Sequence, residues 1–432
     1  YLYSIDQIKK GSCLMNARAK YKSYKYKKTI NVEVKDSYRL ITMPLRAFGK
    51  CFNLKIEKDV MPYDLYNKEV CKNPIVELEE VKKYLNEKEF KQFKKNCKDN
   101  DFMIDRKRFN AMDYALFYCM KDVNVLYEGY TTFREWILEI TNIDINRKWT
   151  IASLSDEYLK QQGVYDDVYQ LGGCVRTYIQ KCVVGGRTMC RDNIKHKVEG
   201  GKMADYDGVS LYPSAMSRMT TELGGVLLGK PKLLTTLNYN WLKNNTDGYF
   251  IKIKINSIGI KRHFSLISSV NDKGVRIFSN DVVNKEYYVD RTTLEDWITF
   301  HNISFDIING YYYDEGRNPK IGTVLEFLFN ERLKKKKEKN PIQVIYKLIM
   351  NSSYGKSILK PINKESKVLS NEKELNKFIQ KNYNFIIQYE KIYDSSKYYV
   401  EYHKSINEHF NNASVGVEIL SMSKRIMNEV MC

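Results

Sequence analysis

Residues 205–219 read DYDGVSLYPSAMSRM, with a carboxylate at Asp207 five residues ahead of Tyr212 and a proline directly after the tyrosine. A carboxylate at the tip of a strand suits Mg²⁺, which takes one or two acids and completes its shell with phosphate oxygens and water. After Asp207 the chain must turn, so backbone N–H groups near Ser210 and Leu211 can face those phosphates. Pro213 fits the first turn of a following helix. Tyr212 then lies beside a bound nucleotide, where a rigid ring would fill the space of a ribose 2′-OH. Asp205 falls on the same strand face as Asp207, roughly 6.6 Å away in a regular strand, and would support a metal there.

A second constellation lies in PIQVIYKLIMNSSYGKS, read as a helix over 342–354. Lys347, Asn351 and Tyr354 stand at i, i+4 and i+7, within roughly 60° on one face. Gly355 is placed to end the helix as a C′ glycine. Ammonium suits a phosphate, and an amide with a phenol suits a base and its sugar. Taken alone, a solvated lysine above a structural tyrosine is the simpler reading. The preceding helix, 321–339, carries Arg332 and turns strongly basic at Lys334–Lys337, a run that reads equally well as a solvated face.

Those two segments need elements to position them. Residues 202–207 read as a strand ending at the acids. The short turn at Asn340-Pro341 makes the helices on either side of it an antiparallel pair. Ile251, Ile253 and Ile255 alternate with lysines, as do Ile30, Val32 and Val34 with polar residues, so both stretches read as strands. Residues 76–97 and Met112 to about Ile140 read as helices, 141–165 as a connection into a new domain, and 383–403 as a hairpin with Asp394 to Lys397 at its tip. The pattern over 417–431 is helical. The mixture predicts an α+β protein.

The chain has 432 residues, enough for two to four domains, and 71 Lys+Arg against 52 Asp+Glu give a net charge of +19. That surplus favours a polyanionic partner, nucleic acid ahead of membrane, unless it reflects an AT-rich coding sequence alone. No uncharged apolar run reaches the length of a membrane span. The nine cysteines form no CxxC pair, which argues against a zinc site and for reduced thiols. A start without Met and a stop inside a helical pattern suggest a fragment cut at both ends.

The residues also carry a family resemblance. Asp207-Gly-Val-Ser210-Leu211-Tyr212-Pro213-Ser214 resembles the DxxSLYPS motif A of B-family DNA polymerases. Lys347-Leu-Ile-Met-Asn351-Ser352-Ser-Tyr354-Gly355 resembles their KxxxNSxYG motif B, in the right order and 140 residues on. The finer pattern is similar to the protein-primed branch of small phages, linear plasmids, viruses and transposons. Gly185-Gly186 falls where that branch has a YxGG-like DNA-contacting motif, followed here by Arg187, with Val183 in place of the tyrosine. Tyr118-Cys-Met-Lys-Asp122 resembles the Exo III motif of its 3′–5′ exonuclease, with tyrosine and acid one helical turn apart. Lys58-Asp-Val-Met61 is similar to a lysine motif assisting that exonuclease. Asp36-Ser37 falls where a single-strand-binding motif would be, with Tyr38 replacing its leucine.

The resemblance implies a partial ribonuclease-H-like exonuclease domain over 1–150, then a right-hand polymerase: 151–214 a linker and the first part of the palm, 215–318 the palm with an inserted terminal-protein-region-like segment, 319–360 two-helix fingers, and 361–432 a hairpin insertion and palm helix. It implies attack of a primer 3′-OH, or of a priming protein's hydroxyl, on a dNTP, with two Mg²⁺ ions, Mn²⁺ being the substitute. Asp207 and Asp122 are the implied metal ligands. Lys347, Tyr118 and Asp122 join Asp207 as catalytic residues; Ser210, Leu211, Tyr212, Arg332, Lys347, Asn351 and Tyr354 bind nucleotide; Gly185, Gly186, Arg187 and Lys58 bind DNA. The expected partners are primer-template DNA, dNTPs and a terminal protein, around a monomer inside a host cell and off any membrane. A YxDTDS motif C, a DxE Exo I and an NxxxD Exo II are not found, so this piece alone is expected to be nearly inactive. Two rivals remain: a non-catalytic nucleic-acid-binding remnant of such a polymerase, and a basic structural protein.

Overall fold

The computed structural model describes residues 2–10, 13–23, 25–202, 204, 206–271, 273–359, 364–393, 395–403 and 411–432. The chain divides into two compact units, one of residues 37–147 with 338–342, the other of 1–36, 148–337 and 343–432.

The 37–147 unit is organised by a 31-residue helix, α1 (Ala111–Thr141). Asn110 caps its start by accepting from the Met112 and Asp113 N–H groups, and Asn142 ends it in the left-handed conformation. Tyr114, Tyr118, Val125, Phe133 and Ile137 are buried along it, a spacing of four or a multiple close to it that makes one stripe. Its Tyr114 and Tyr118 pack with Val81, Phe93, Cys97 and Phe109, and Phe133 packs on Phe52. The helix expected over 76–97 is two helices, Leu78–Val81 and Glu87–Asp99, because Asn86 and Glu89 form a capping box that restarts the chain.

Among its described residues the other unit holds two larger antiparallel sheets and two two-stranded ones. One contains β1 (Leu2–Lys10), β2 (Cys13–Ser23), β3 (Lys28–Lys35), β8 (Lys364–Leu369), β9 (Ile386–Lys391) and β10 (Tyr398–His403), in the order β9-β10-β8-β1-β2-β3. Residues 2–35 therefore belong with this unit and not with 37–147, so the 1–150 boundary read from sequence does not describe the packing. The expected hairpin is β9–β10; Asp394 at its tip lies outside the described residues.

The second sheet contains β4 (Lys232–Leu233), β5 (Gly248–Ile258), β6 (Glu286–Asp290) and β7 (Ile303–Tyr313), in the order β6-β5-β7-β4. Ile251, Ile253 and Ile255 are buried against Val289, Leu294, Trp297 and Ile307, with the intervening lysines half-exposed. Leu294 and Trp297 come from a helix over Arg291–His301 that covers this sheet.

Around these sheets stand α2 (Ile151–Gln161), α3 (Leu211–Leu223), α4 (Arg291–His301), α5 (Lys320–Lys337), α6 (Gln343–Ser352) and α7 (Ala413–Met431). The stretch read as a connection, 141–165, thus contains a full helix, α2. The α5 and α6 helices pack on one another as expected. Gly322 lets α5 press onto α3: a Cβ there would lie 2.6 Å from Thr220 Oγ1. The α7 helix is buried for most of its length.

Candidate nucleotide and metal sites

The stretch that opens α3 departs from expectation. Residues 202, 204 and 206–208 form no strand: they are exposed, with Tyr206 at 90 %, and pair with no ladder among the described residues. A strand persists only where its N–H and C=O groups find partners, and none is offered here. Asp207 is therefore on an open loop, and Asp205 lies outside the described residues. Ser210, at the N-cap of α3, has φ 51° and ψ 48°, a left-handed conformation costing a non-glycine residue about 1–3 kcal/mol. It turns the chain so that Leu211 and Tyr212 begin the helix, with Pro213 in its first turn as expected. The first N–H groups of α3, those of Leu211 and Tyr212 included, have no partner within the helix.

The α6 helix buries Ile345, Tyr346, Ile349 and Met350 and leaves Lys347 and Asn351 exposed. The helix stops at Ser352, two residues earlier than read. The buried Ser353 bonds back to the Met350 carbonyl at 2.7 Å and Ser357 to that of Tyr354 at 2.6 Å, hydroxyl contacts that compete with further helix. Gly355 does not take the left-handed cap conformation expected of it.

These two segments meet. The Tyr212 and Tyr354 rings stack with centroids 3.9 Å apart and planes 21° from parallel. Beside them the Ser353 hydroxyl points at Met216 Sδ, 3.5 Å away. Burial and the neighbouring Tyr212 hydroxyl push the Tyr354 phenol up to about 12, so it stays neutral. Lys347, on α6, lies seven residues before Tyr354, and Asp207 five residues before Tyr212. On α5, Arg332 is half-buried with its Nε–H lacking a partner, while Lys334, Lys336 and Lys337 are exposed.

The α3 helix is held from its other side. Arg218 is paired with Glu222 and with Glu429 of α7, its Nη1 2.6 Å from Glu429 Oε2. Sequence reasoning missed a second anchor, Arg317, just ahead of α5. Its guanidinium reaches the Glu418 carboxylate of α7 at 2.7 Å, the Gly225 carbonyl at 2.6 Å and the Asp247 carbonyl at 2.9 Å. The Arg317 and Glu418 side chains are only 5 % and 3 % exposed.

In the 37–147 unit, Lys58, Tyr118 and Asp122 come together. Lys58 Nζ donates to Asp122 Oδ2 at 2.9 Å and lies 5.1 Å from the centre of the Tyr118 ring. Burial works against the Lys58 charge, but bonds to Tyr118 and Asp122 hold its pKa above the usual lysine value. Tyr118 is itself hydrogen-bonded to Tyr63, a partner the sequence did not suggest. Asp122 Oδ1 is buried with no hydrogen-bond partner.

The structure tests the metal expectation through these oxygens. Among the described residues no three of His, Cys, Asp and Glu converge, so neither acid sits in a ready cage. Asp207 offers a single open carboxylate, the donor set Mg²⁺ uses when phosphate and water supply the rest. Asp122 offers one orphaned oxygen, the other being committed to Lys58. Gly185 and Gly186 lie on an irregular segment where an added Cβ would meet nothing within 4 Å, and Arg187 donates to the Phe264 carbonyl.

The chain's sequence and fold are similar to those of known proteins. The family model for DNA polymerase type B, organellar and viral, matches residues 2–431. A probable DNA polymerase of Ascobolus immersus is 24% identical over 388 residues, covering 86% of this chain and 30% of that protein. A DNA polymerase of Acidianus bottle-shaped virus is 28% identical over 173 residues, 36% of this chain and 23% of that one. Phi29 DNA polymerase complexed with primer-template DNA and incoming nucleotide substrates superposes with a TM-score of 0.60 at 15% identity, over 98% of this chain and 62% of that one. The chain spans less than a third of the length of these curated relatives.

Proposed function

Because the chain belongs to the type B DNA polymerases of organellar and viral type, we propose that the whole protein adds deoxynucleotides to a primer 3′-OH opposite a template, and that the Tyr212–Tyr354 stack forms part of its nucleotide site. The observation that carries this reading is that stack, which joins two motifs 142 residues apart in the chain.

In this reading Lys347 neutralises the triphosphate as pyrophosphate leaves, with Arg332 assisting, and Asn351 orients the incoming nucleotide. The N–H groups of Leu211 and Tyr212 bind phosphate oxygens, the turn at Ser210 aiming them. The Tyr212 ring excludes a ribose 2′-OH. Asp207 would hold Mg²⁺, or Mn²⁺ in its place, and the ion's chemistry is to offset charge on the attacking and leaving oxygens. The 37–147 unit is read as part of a 3′–5′ exonuclease served by Lys58, Tyr118 and Asp122. Residues 151–318 and 361–432 are read as palm with its insertions, 319–360 as fingers, Gly185–Arg187 as a DNA contact, and a protein hydroxyl as the starting primer of a monomeric enzyme.

Extension of a labelled primer by the full-length protein tests this. Asp207→Asn is expected to lower the rate by at least about 10²-fold, the scale of one lost electrostatic contact to the reacting centre. Unchanged extension by Asp207→Asn would refute the site. A full-length protein that binds primer-template and incorporates nothing would be the non-catalytic remnant.

A further inference from the structure

Away from Tyr212 and Tyr354, a cavity of about 300 Å³ opens between α4, α7, β6 and the hairpin of Ser268–Val270 with Arg276–Phe278, with Arg187 of the proposed DNA contact on its wall. Lys181, Arg187, Arg276 and Lys424 line it. None of the four has a carboxylate within ion-pair distance among the described residues. Lys181 donates to the Tyr288 hydroxyl at 3.3 Å, Arg276 to the Ser268 hydroxyl at 2.9 Å, and Arg187 to the Phe264 carbonyl at 3.3 Å.

The two acids on the same wall are already committed. Glu286 is paired with Lys252, and Asp296 accepts from Arg425 Nε at 2.7 Å and Asn428 Nδ2 at 2.6 Å. Asp290, buried behind the wall, has one oxygen bonded to the Ser421 hydroxyl at 2.7 Å and the other without a partner. Four cations facing one cavity with no bonded counter-charge repel one another, most strongly at the half-buried Arg187 and Lys424. An anion seated among them removes that cost.

We propose that this cavity is a phosphate-binding site, distinct from the nucleotide site at Tyr212 and Tyr354, in which Lys424 and Arg276 hold the anion. The size suits a pyrophosphate or the terminal phosphate of a nucleic-acid strand better than a peptide side chain. Ser268 and Ser269 add hydroxyl donors to the wall. Guanidinium and ammonium together match phosphate well, the first by its fork and the second as a point charge.

The half-buried Lys424 ammonium carries a second sign of the site. Burial, with Arg276 acting the same way, pulls it down to about 8, against the pull of Asp290, Asp296 and Cys182. A depressed lysine is charged below that value and neutral above it, so anion binding is lost as pH rises through about 8. The other charged or titratable groups facing Lys424 are Asp290 and Cys182, with Asp296, Glu286, Lys181, Arg187 and Arg276 around the cavity.

The test is calorimetric titration of the full-length protein with inorganic pyrophosphate in chelator, and separately with a 5′-phosphorylated oligodeoxynucleotide. Binding of either probe is expected to weaken about tenfold or more in Lys424→Met and in Arg276→Gln, the loss of one charged hydrogen bond. It is expected to survive Lys347→Ala and to fall between pH 7 and 9. Arg276 is exposed, so its variant reports on the site even if Lys424→Met fails to fold. Pyrophosphate as the responsive probe identifies a free anion; the oligonucleotide identifies a strand end. Binding of neither, or binding untouched by both substitutions or abolished by Lys347→Ala, overturns the proposal and leaves the primer-extension result unaffected.

Discussion

Tyr212 and Tyr354 contribute two flat rings to one surface, and their positions in the chain decide what that surface touches. If the Tyr212 face meets the sugar, Tyr212→Val should lower discrimination of dNTP over rNTP by about tenfold to a hundredfold, the range for a pocket rejecting one extra hydroxyl, whereas Tyr212→Phe keeps it. Steady-state incorporation of dCTP against CTP measures this. In the 37–147 unit, Lys58 holds Asp122 Oδ2 and packs on the Tyr118 ring. Lys58→Met should lower 3′-end removal about 10–100-fold, as loss of a positioning partner does, with primer extension unchanged. Single-nucleotide excision from a labelled strand checks it. The motif residues were legible because proline, glycine and Asn-Ser pairs are informative in a chain with 34 tyrosines and many lysines. Tyr63 was not, since nothing local distinguishes it from the other tyrosines. The same holds for Lys424, whose significance comes from the walls around it.

Helices were readable where an apolar stripe recurred at helical spacing, as in α1 and α7, and the alternating isoleucines of β5 gave a strand. The strand over 202–207 failed because alternation describes only one strand, whereas a ladder needs a second, and no neighbour is named locally. The end of α6 failed because Ser353 and Ser357 act through bonds to carbonyls that a glycine-centred reading overlooks. The least legible contact is Arg317 with Glu418, 101 residues apart, which ties the approach to α5 to α7. Arg317→Met leaves a buried carboxylate unpaired and should cost about 3–5 kcal/mol in urea unfolding, with Arg317→Met/Glu418→Leu recovering most of it. Burial pushes the Glu418 pKa up even beside the guanidinium. The folded form of the single variant therefore takes up a proton more readily than the unfolded chain. Its penalty should shrink as pH falls from 8 toward 5, in the window just above the unfolded carboxyl value.

At the scale of the molecule, the net charge of +19 fits a polyanionic partner and an AT-rich coding sequence alike until the motifs decide between them. If six to ten phosphates are contacted, primer-template affinity should fall about 10³–10⁵-fold between 50 and 200 mM salt, read by fluorescence anisotropy. A flat response would remove the nucleic-acid reading. The long closure of the first sheet was not legible: β1 pairs with β8, more than 300 residues later, and no local signal reports it. The central claim is that α3 and the end of α6 act as one nucleotide-binding surface. The most direct measurement is a double-mutant cycle on kcat/KM for dNTP with Tyr212→Ala, Tyr354→Ala and both. Stacked partners acting as a unit predict a double variant about as impaired as the worse single one. Losses that multiply, or a single variant that uses dNTP like the parent, would contradict the account.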